Sequence, residues 1–178
     1  HQLRDRDKDR SAGRTAVPRM RIETPEAMAL LGARIAAELR AGDLVLLNGE
    51  LGAGKTTLTR GIGEALGVRG AVTSPTFVLA RTHPRVVAGT VDDAPLVHVD
   101  AYRLGSAMEL DDLDIDFPAS IVVVEWGAGL TDGITDDWLQ IDIVRPHGGD
   151  ESAEVEPREV TLTGHGERWG RWVDALGD

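Results

Sequence analysis

The sequence contains no cysteine, few aromatic residues and no long apolar segment. Without cysteine, the chain can form neither a disulfide nor a thiolate metal site, and it has no cysteine nucleophile. No stretch approaches the roughly 18 consecutive apolar residues that a membrane-spanning helix needs. The first twenty residues carry nine charged side chains and no apolar run, unlike a secretory signal peptide. We therefore expect a soluble, cytoplasmic protein that has no membrane association.

Lysine is also scarce, and the overall charge is strongly negative. Only two of the 19 basic residues are lysines, Lys8 and Lys55, and the net charge is −11. Residues 1–19 carry six basic and three acidic side chains, so the net charge of the remaining chain is −14. A folded body this acidic repels a phosphate backbone. Any nucleic acid is therefore expected to be met indirectly, through a partner protein.

The N-terminal segment, residues 1–19, is polar, mixed in charge and without hydrophobic periodicity. Because the chain begins with His1 rather than with methionine, we expect this segment to be disordered or an addition to the natural chain, and we exclude it from the fold. The remaining residues, 20–178, have the length of one ordinary domain.

Hydrophobic periodicity predicts alternating strands and helices in this domain. Helices are predicted at residues 24–42, 55–67 and 169–176, and a capping box at residues 106–109 is predicted to open a short further helix. Strands are predicted at residues 44–47, 77–81, 96–100, 121–125, 138–144 and 158–162. This order is typical of an α/β fold with a mainly parallel sheet and helices on both faces. The last two strands are expected to form an antiparallel pair at one edge.

A glycine-rich segment lies between the first of these strands and the helix that follows it. It fits the pattern G-x-x-x-x-G-K-[ST] at every fixed position. The predicted nucleotide-binding residues in it are Gly49, Glu50, Leu51, Gly52, Ala53, Gly54, Lys55, Thr56 and Thr57.

The chemistry of this segment suits a triphosphate. Glycine lets the backbone approach phosphate oxygens, and a helix N-terminus adds positive potential. Lys55 is predicted to contact the β and γ phosphates, and the Thr56 hydroxyl to ligate Mg²⁺. A turn that binds nothing is the alternative, but the order of strand, loop, lysine, threonine and helix favours a P-loop NTPase fold. The N-K-x-D motif of guanine recognition is absent, which favours ATP.

Two acidic residues each end a buried apolar strand. Asp100 follows Leu-Val-His-Val, and Glu125 follows Ile-Val-Val-Val. Both are predicted at the carboxyl edge of the sheet, where ligands bind in such folds. There they could hold Mg²⁺, directly or through water, or orient the attacking water. Polar strand ends at the surface are the alternative, and position does not say which acid contacts the metal.

Three further residues are interpreted less directly from the sequence. Thr76, in a hydroxyl-rich turn before Phe77, is predicted to sense the γ-phosphate or Mg²⁺, with an ordinary turn as the alternative. Trp126 lies next to Glu125 in the sequence, which slightly favours a place near the site, although anchoring a loop in the core is the more common use of an aromatic residue. His98 alternates within a strand and is interpreted as a packed core residue.

Four motifs together resemble a known family. GELGAGKTTLTRG, SPTF, HVDAYRL and VEW, in this order, are similar to those of the bacterial tRNA threonylcarbamoyladenosine biosynthesis ATPase family, TsaE. The resemblance covers residues 24–144 and not the N-terminal segment or the acidic loop 145–157. By this resemblance the functional positions are Lys55, Thr56, Thr76, Asp100, Glu125 and Trp126. It implies an ATPase that works with the TsaB and TsaD proteins to attach threonylcarbamoyl to an adenosine beside the anticodon of ANN-decoding tRNAs.

Two other classes of function stay open. A small-molecule kinase of the P-loop class would share the phosphate-binding segment but should add a basic lid. Arg81, Arg85 and Arg103 are candidates for such a lid, without a recognisable lid pattern. A nucleotide-switched binding module would bind ATP and scarcely hydrolyse it.

Overall fold

In the part of the chain that a computed structural model describes, there are three α-helices and eight strands. The described part covers residues 14–16, 20–49, 54–68, 80–84, 94–100, 115–125, 136–145 and 157–176. The helices are α1 (Pro25–Ala36), α2 (Lys55–Leu66) and α3 (Glu167–Leu176). The strands are β1 (Arg14–Ala16), β2 (Met20–Ile22), β3 (Leu44–Gly49), β4 (Ala80–His83), β5 (Leu96–Asp100), β6 (Ile121–Glu125), β7 (Trp138–Val144) and β8 (Arg158–His165).

The strands form one mixed sheet in the order β1-β8-β7-β3-β6-β5-β4, with β2 also paired to β8. The four central strands, β7, β3, β6 and β5, are parallel to one another. Antiparallel strands flank them, with β4 on one side and β8 on the other. The predicted antiparallel pair is confirmed as β7 and β8, but only β8 is antiparallel to the centre, because β7 pairs in parallel with β3.

Strand β3 lies at the centre of the core. Its first four residues, 44–47, are all buried, and alternate side chains face two different apolar clusters. One face of the sheet is covered by α1, α2 and α3, which bury Ile35, Ile62 and Trp169 against it. Phe117, within a 3-10 turn, packs against the other face. The three described α-helices thus lie on one face, and helices on the other face stay a prediction. The short helix predicted to begin near residue 106 lies outside the described residues.

Helices α1 and α2 approach each other closely at two glycines. A Cβ atom on Gly32 would lie 2.6 Å from the Leu58 carbonyl oxygen. A Cβ atom on Gly61 would lie 2.5 Å from the Ala29 carbonyl oxygen. These distances are too short for any side chain, so glycine at both positions allows the two backbones to be in contact.

The start of α1 agrees with the sequence and its end does not. The Thr24 hydroxyl accepts a hydrogen bond from the Ala27 amide at 3.0 Å, as expected of an N-cap. The helix ends at Ala36, before the predicted stop at Gly42. Gly42, with φ of 93°, instead forms the turn into β3, where its amide donates to the Ser120 carbonyl at 2.9 Å.

Arg168 of α3 forms hydrogen bonds with the segment that leads into β3. Its Nη1 donates to Asp43 Oδ1 at 2.5 Å, and its Nη2 donates to the Glu38 carbonyl. The other Asp43 oxygen accepts from the Arg40 amide at 2.8 Å. The guanidinium carbon lies 4.6 Å from the centre of the Trp169 ring. The residue immediately before β3 is therefore held by the C-terminal helix.

The edges of the sheet differ most from the prediction. Strand β4 extends to His83, beyond the predicted end at residue 81, and residues 77–79 lie outside the described part. Strand β2 has no predicted counterpart. Strand β1 lies within the segment 1–19 that we excluded, and its residues 14–16 pair with 163–165 of β8. At these three residues the expected boundary at residue 20 does not hold.

Candidate functional site

The predicted phosphate-binding segment runs between the carboxyl end of β3 and the first turn of α2. Gly49 ends β3, and Gly54 precedes α2 as its N-cap with φ of 112°. This left-handed conformation favours glycine, and a Cβ atom there would also lie 3.3 Å from Met28 Cε of α1. The strand-to-helix context predicted for the motif is confirmed, while residues 50–53 between the two ends lie outside the described part.

Lys55 joins the two ends of this segment. Its Nζ donates a hydrogen bond to the Gly49 carbonyl at 2.8 Å, and the residue is only 7% exposed. The ammonium group therefore lies beside the carboxyl end of β3 and does not extend into solvent. A buried ammonium held in this position suits an anion that replaces or joins the carbonyl as its partner.

The first turn of α2 is also suited to an anion. It contains no acidic residue, and the Gly54 N-cap provides no side chain to accept from its amides. Thr56 and Thr57, both half-buried, lie in this turn. Helix N-termini carry unpaired amides and a positive partial charge, which favour phosphate groups.

The two predicted acids are brought to the same level of the sheet. Asp100 and Glu125 are register partners at the ends of the parallel strands β5 and β6. Glu125 is also the register partner of Leu47 on β3, two residues before Gly49. Glu125 is buried, at 6% exposure, and the side chain of Asp100 lies outside the described part. The backbone thus aligns both acids with the strand that leads into the phosphate-binding segment.

His98 is a packed core residue, as interpreted from the sequence, and it also contacts Glu125. It is fully buried, as predicted, but its Nε2 lies 3.2 Å from Oε1 of Glu125. The two atoms are within hydrogen-bond distance without the alignment of a hydrogen bond, and neither has another hydrogen-bond partner among the described residues. The sequence could have indicated that His98 lies near the acidic residues, because period-two alternation places it on the same face of β5 as Asp100.

Oxygen atoms dominate the groups that could hold a metal here. The Thr56 hydroxyl and the Glu125 carboxylate are of the type that Mg²⁺ prefers. Within the described ranges, no three His, Cys, Asp or Glu side chains form a ligand cluster. Mg²⁺ usually takes only one or two carboxylates and completes its shell with water and phosphate oxygens, so the residues present fit it. The predicted roles of Thr76 and Trp126 concern residues outside the described part.

No helix in the described part of the chain is long and apolar enough to cross a membrane.

Comparison with known proteins points to one family. The family model described as "Threonylcarbamoyl adenosine biosynthesis protein TsaE" matches residues 22–153, a range that includes every predicted site residue. The tRNA threonylcarbamoyladenosine biosynthesis protein TsaE of Streptomyces coelicolor is 60% identical over 142 residues, covering 78% of this chain and 91% of that protein. The protein of the same name from Mycobacterium tuberculosis strain H37Rv is 45% identical over 151 residues, covering 80% and 88%.

A solved structure agrees with these relatives. The crystal structure of Bacillus subtilis YdiB superposes with a TM-score of 0.68 and 29% sequence identity. The match covers 92% of this chain and 95% of the YdiB chain. The likeness therefore extends over nearly the whole of both chains, including the sheet and the helices that form the site.

Proposed function

Because the chain belongs to the TsaE family of threonylcarbamoyl adenosine biosynthesis proteins, we propose that it is the ATP-binding and ATP-hydrolysing component of the tRNA threonylcarbamoyladenosine modification machinery. We propose that it has a P-loop NTPase fold, acts in the cytoplasm with TsaB and TsaD, and meets tRNA only through these partners. The observation that carries the ATPase assignment is the alignment of Asp100 and Glu125 with the strand that leads to Lys55.

The nucleotide-binding part of the proposal rests on residues of the segment 49–57. Lys55, now bonded to the Gly49 carbonyl, would turn its ammonium to the β and γ phosphates. The amides at the start of α2 would donate to phosphate oxygens. Trp126, which follows Glu125 in the chain, would lie at the edge of the nucleotide site.

The hydrolytic part of the proposal rests on the acids and two hydroxyl residues. Thr56, Asp100 and Glu125 are the proposed ligands of Mg²⁺, directly or through water. Mg²⁺, when bound, neutralises charge on the phosphates. The acid that does not contact the metal would orient the attacking water, and Thr76 would sense the γ-phosphate.

The partner part of the proposal rests on the charge of the chain and on the arginine that rapid ATP hydrolysis needs at the γ-phosphate. The chain outside residues 1–19 has a net charge of −14, which suits a basic face of a partner complex better than a tRNA backbone. Arg103 is the arginine within the acidic motifs, and it lies outside the described part. A site that lacks an arginine aimed at the γ-phosphate is slow until one is supplied in trans, which is worth about 10³-fold or more in turnover.

The test is a steady-state assay of phosphate release from Mg-ATP. We expect slow turnover by the isolated protein, and acceleration by a purified TsaB–TsaD complex, with the Lys55→Ala variant as the inactive control. Full activity without partners, together with phosphate transfer to one of a panel of small metabolites, would instead indicate a kinase. Tight ATP binding with no hydrolysis under any condition would indicate a nucleotide-switched binding module.

A further inference from the structure

We propose that His98 is a positioning residue, which holds the Glu125 carboxylate in the orientation that ATP hydrolysis needs. The inference rests on the proposed function and adds to it a residue outside the phosphate-binding segment and the two acids. It starts from the 3.2 Å contact between His98 Nε2 and Glu125 Oε1.

The register of β5 and β6 explains why the two side chains meet. His98 is the register partner of Val123, and Glu125 lies two residues further along β6 on the same face. Such diagonal neighbours on adjacent strands are within reach of long side chains. The imidazole therefore lies behind the carboxylate, on the side away from the carboxyl end of the sheet.

The burial of both groups makes this contact important for the geometry of Glu125. The side chain of Glu125 is 8% exposed and that of His98 is 0% exposed. A buried carboxylate needs a polar partner, because little water can solvate it. Contacts between catalytic groups are often poorly aligned before substrate binds and become aligned with it. At 3.2 Å, alignment of the Nε2–H with Oε1 would make this contact a hydrogen bond.

A purely structural role for His98 leads to a different expectation. Neither ring nitrogen of His98 has a hydrogen-bond partner among the described residues, and its neighbours on the strand, Val97 and Val99, are apolar. A buried polar group without partners costs stability relative to an apolar side chain of similar size. If packing were its only role, leucine would serve as well or better, with unchanged catalysis.

The kinetic experiment compares His98→Leu, which removes the donor, with His98→Gln, whose amide keeps a donor near the position of Nε2. In the assay with TsaB–TsaD, we expect His98→Leu to lower kcat about tenfold with little change in the KM for ATP. We expect His98→Gln to recover most of that loss. Because His98→Leu leaves the buried Glu125 carboxylate without its polar partner, its thermal midpoint should fall, whereas a packing role alone predicts an equal or higher midpoint.

Val99→Ala is the matched control. Val99 lies on the same strand, is fully buried and faces the opposite cluster, so its substitution loosens β5 without touching Glu125. It should lower the thermal midpoint and leave kcat at the parent value. If His98→Leu also keeps the parent kcat, His98 is a packing residue and the inference is overturned.

A second readout does not depend on activity. Long-range ¹H–¹⁵N correlation spectra of the labelled protein report the tautomer of each of the five histidines, and the spectrum of His98→Gln assigns His98. We expect the proton on Nε2, and a shift of both ring nitrogens in Glu125→Gln. Identical His98 resonances in the parent protein and in Glu125→Gln would show that the two side chains are not in contact. A parent protein that hydrolyses no ATP with its partners would overturn the proposed function, and this inference with it.

Discussion

The close approach of α1 and α2 at Gly61 leads to a quantitative prediction for Gly61→Ala. The added Cβ would lie 2.5 Å from the Ala29 carbonyl oxygen, which is about 1 Å short of ordinary van der Waals contact. Because the contacted atom belongs to the backbone, relief requires the two helices to move apart. Overpacking of this kind typically costs about 1–3 kcal/mol.

Helix propensity acts in the opposite direction and sets the net effect. Replacing glycine by alanine within a helix gains at most about 1 kcal/mol. Because the Cβ would lie within 3.0 Å of three Ala29 backbone atoms, we take the upper part of the overpacking range, about 2–3 kcal/mol, and expect a net loss of about 1–2 kcal/mol in the free energy of unfolding. For a chain of this size, that corresponds to a fall of about 2–8 °C in the thermal midpoint.

Differential scanning calorimetry and urea unfolding measure this effect directly. Ala65→Gly, at an exposed position of the same helix, is the control, because it changes helix propensity without adding an atom between the helices. Since α2 begins at Lys55, we also expect Gly61→Ala to weaken ATP binding. A Gly61→Ala protein at least as stable as the parent would refute the reasoning, because the helices could then separate without cost.

Three further predictions concern the site and the edge of the sheet. Lys55→Ala should abolish tight ATP binding, and unchanged affinity in isothermal titration would contradict the proposed role of the phosphate-binding segment. Glu125→Gln and Asp100→Asn should each lower ATP hydrolysis by about 10²-fold or more with the fold intact by circular dichroism; parent rates would make both acids ordinary strand ends. Deleting residues 1–13 should leave the thermal midpoint unchanged, whereas deleting 1–19 also removes β1 and should lower it; equal midpoints would show that β1 adds no stability.

The central strands were predictable because burial on both faces leaves a continuous apolar run. β3, β5 and β6 show such runs, and the structure confirms all three within two residues of their predicted ends. The glycine-rich segment was predictable for a similar reason, since its chemistry is local. A positive φ at Gly54 and a helix that starts at Lys55 depend on neighbouring residues in the chain.

The features that sequence reasoning missed depend on contacts between distant residues. Strands β1 and β2 have three residues each, too few to show hydrophobic alternation. Both form by antiparallel pairing with β8. The contact of His98 with Glu125 depends on the register between β5 and β6, which spacing along the chain does not specify. The parallel pairing of β7 with β3 likewise follows from sheet order rather than from alternation.

The position of β3 in the sheet has a consequence for how the protein is made. Leu44 pairs with Val122 of β6 and Val45 with Leu139 of β7, while Asp43 bonds to Arg168 of α3. A ribosome therefore completes β3 and the phosphate-binding segment long before either neighbouring strand exists. Contacts between such distant residues fold slowly and leave apolar segments exposed in the meantime. The nascent chain must carry an unpaired apolar strand until β6 and β7 have been made, and it can complete the core on this face only after α3 emerges.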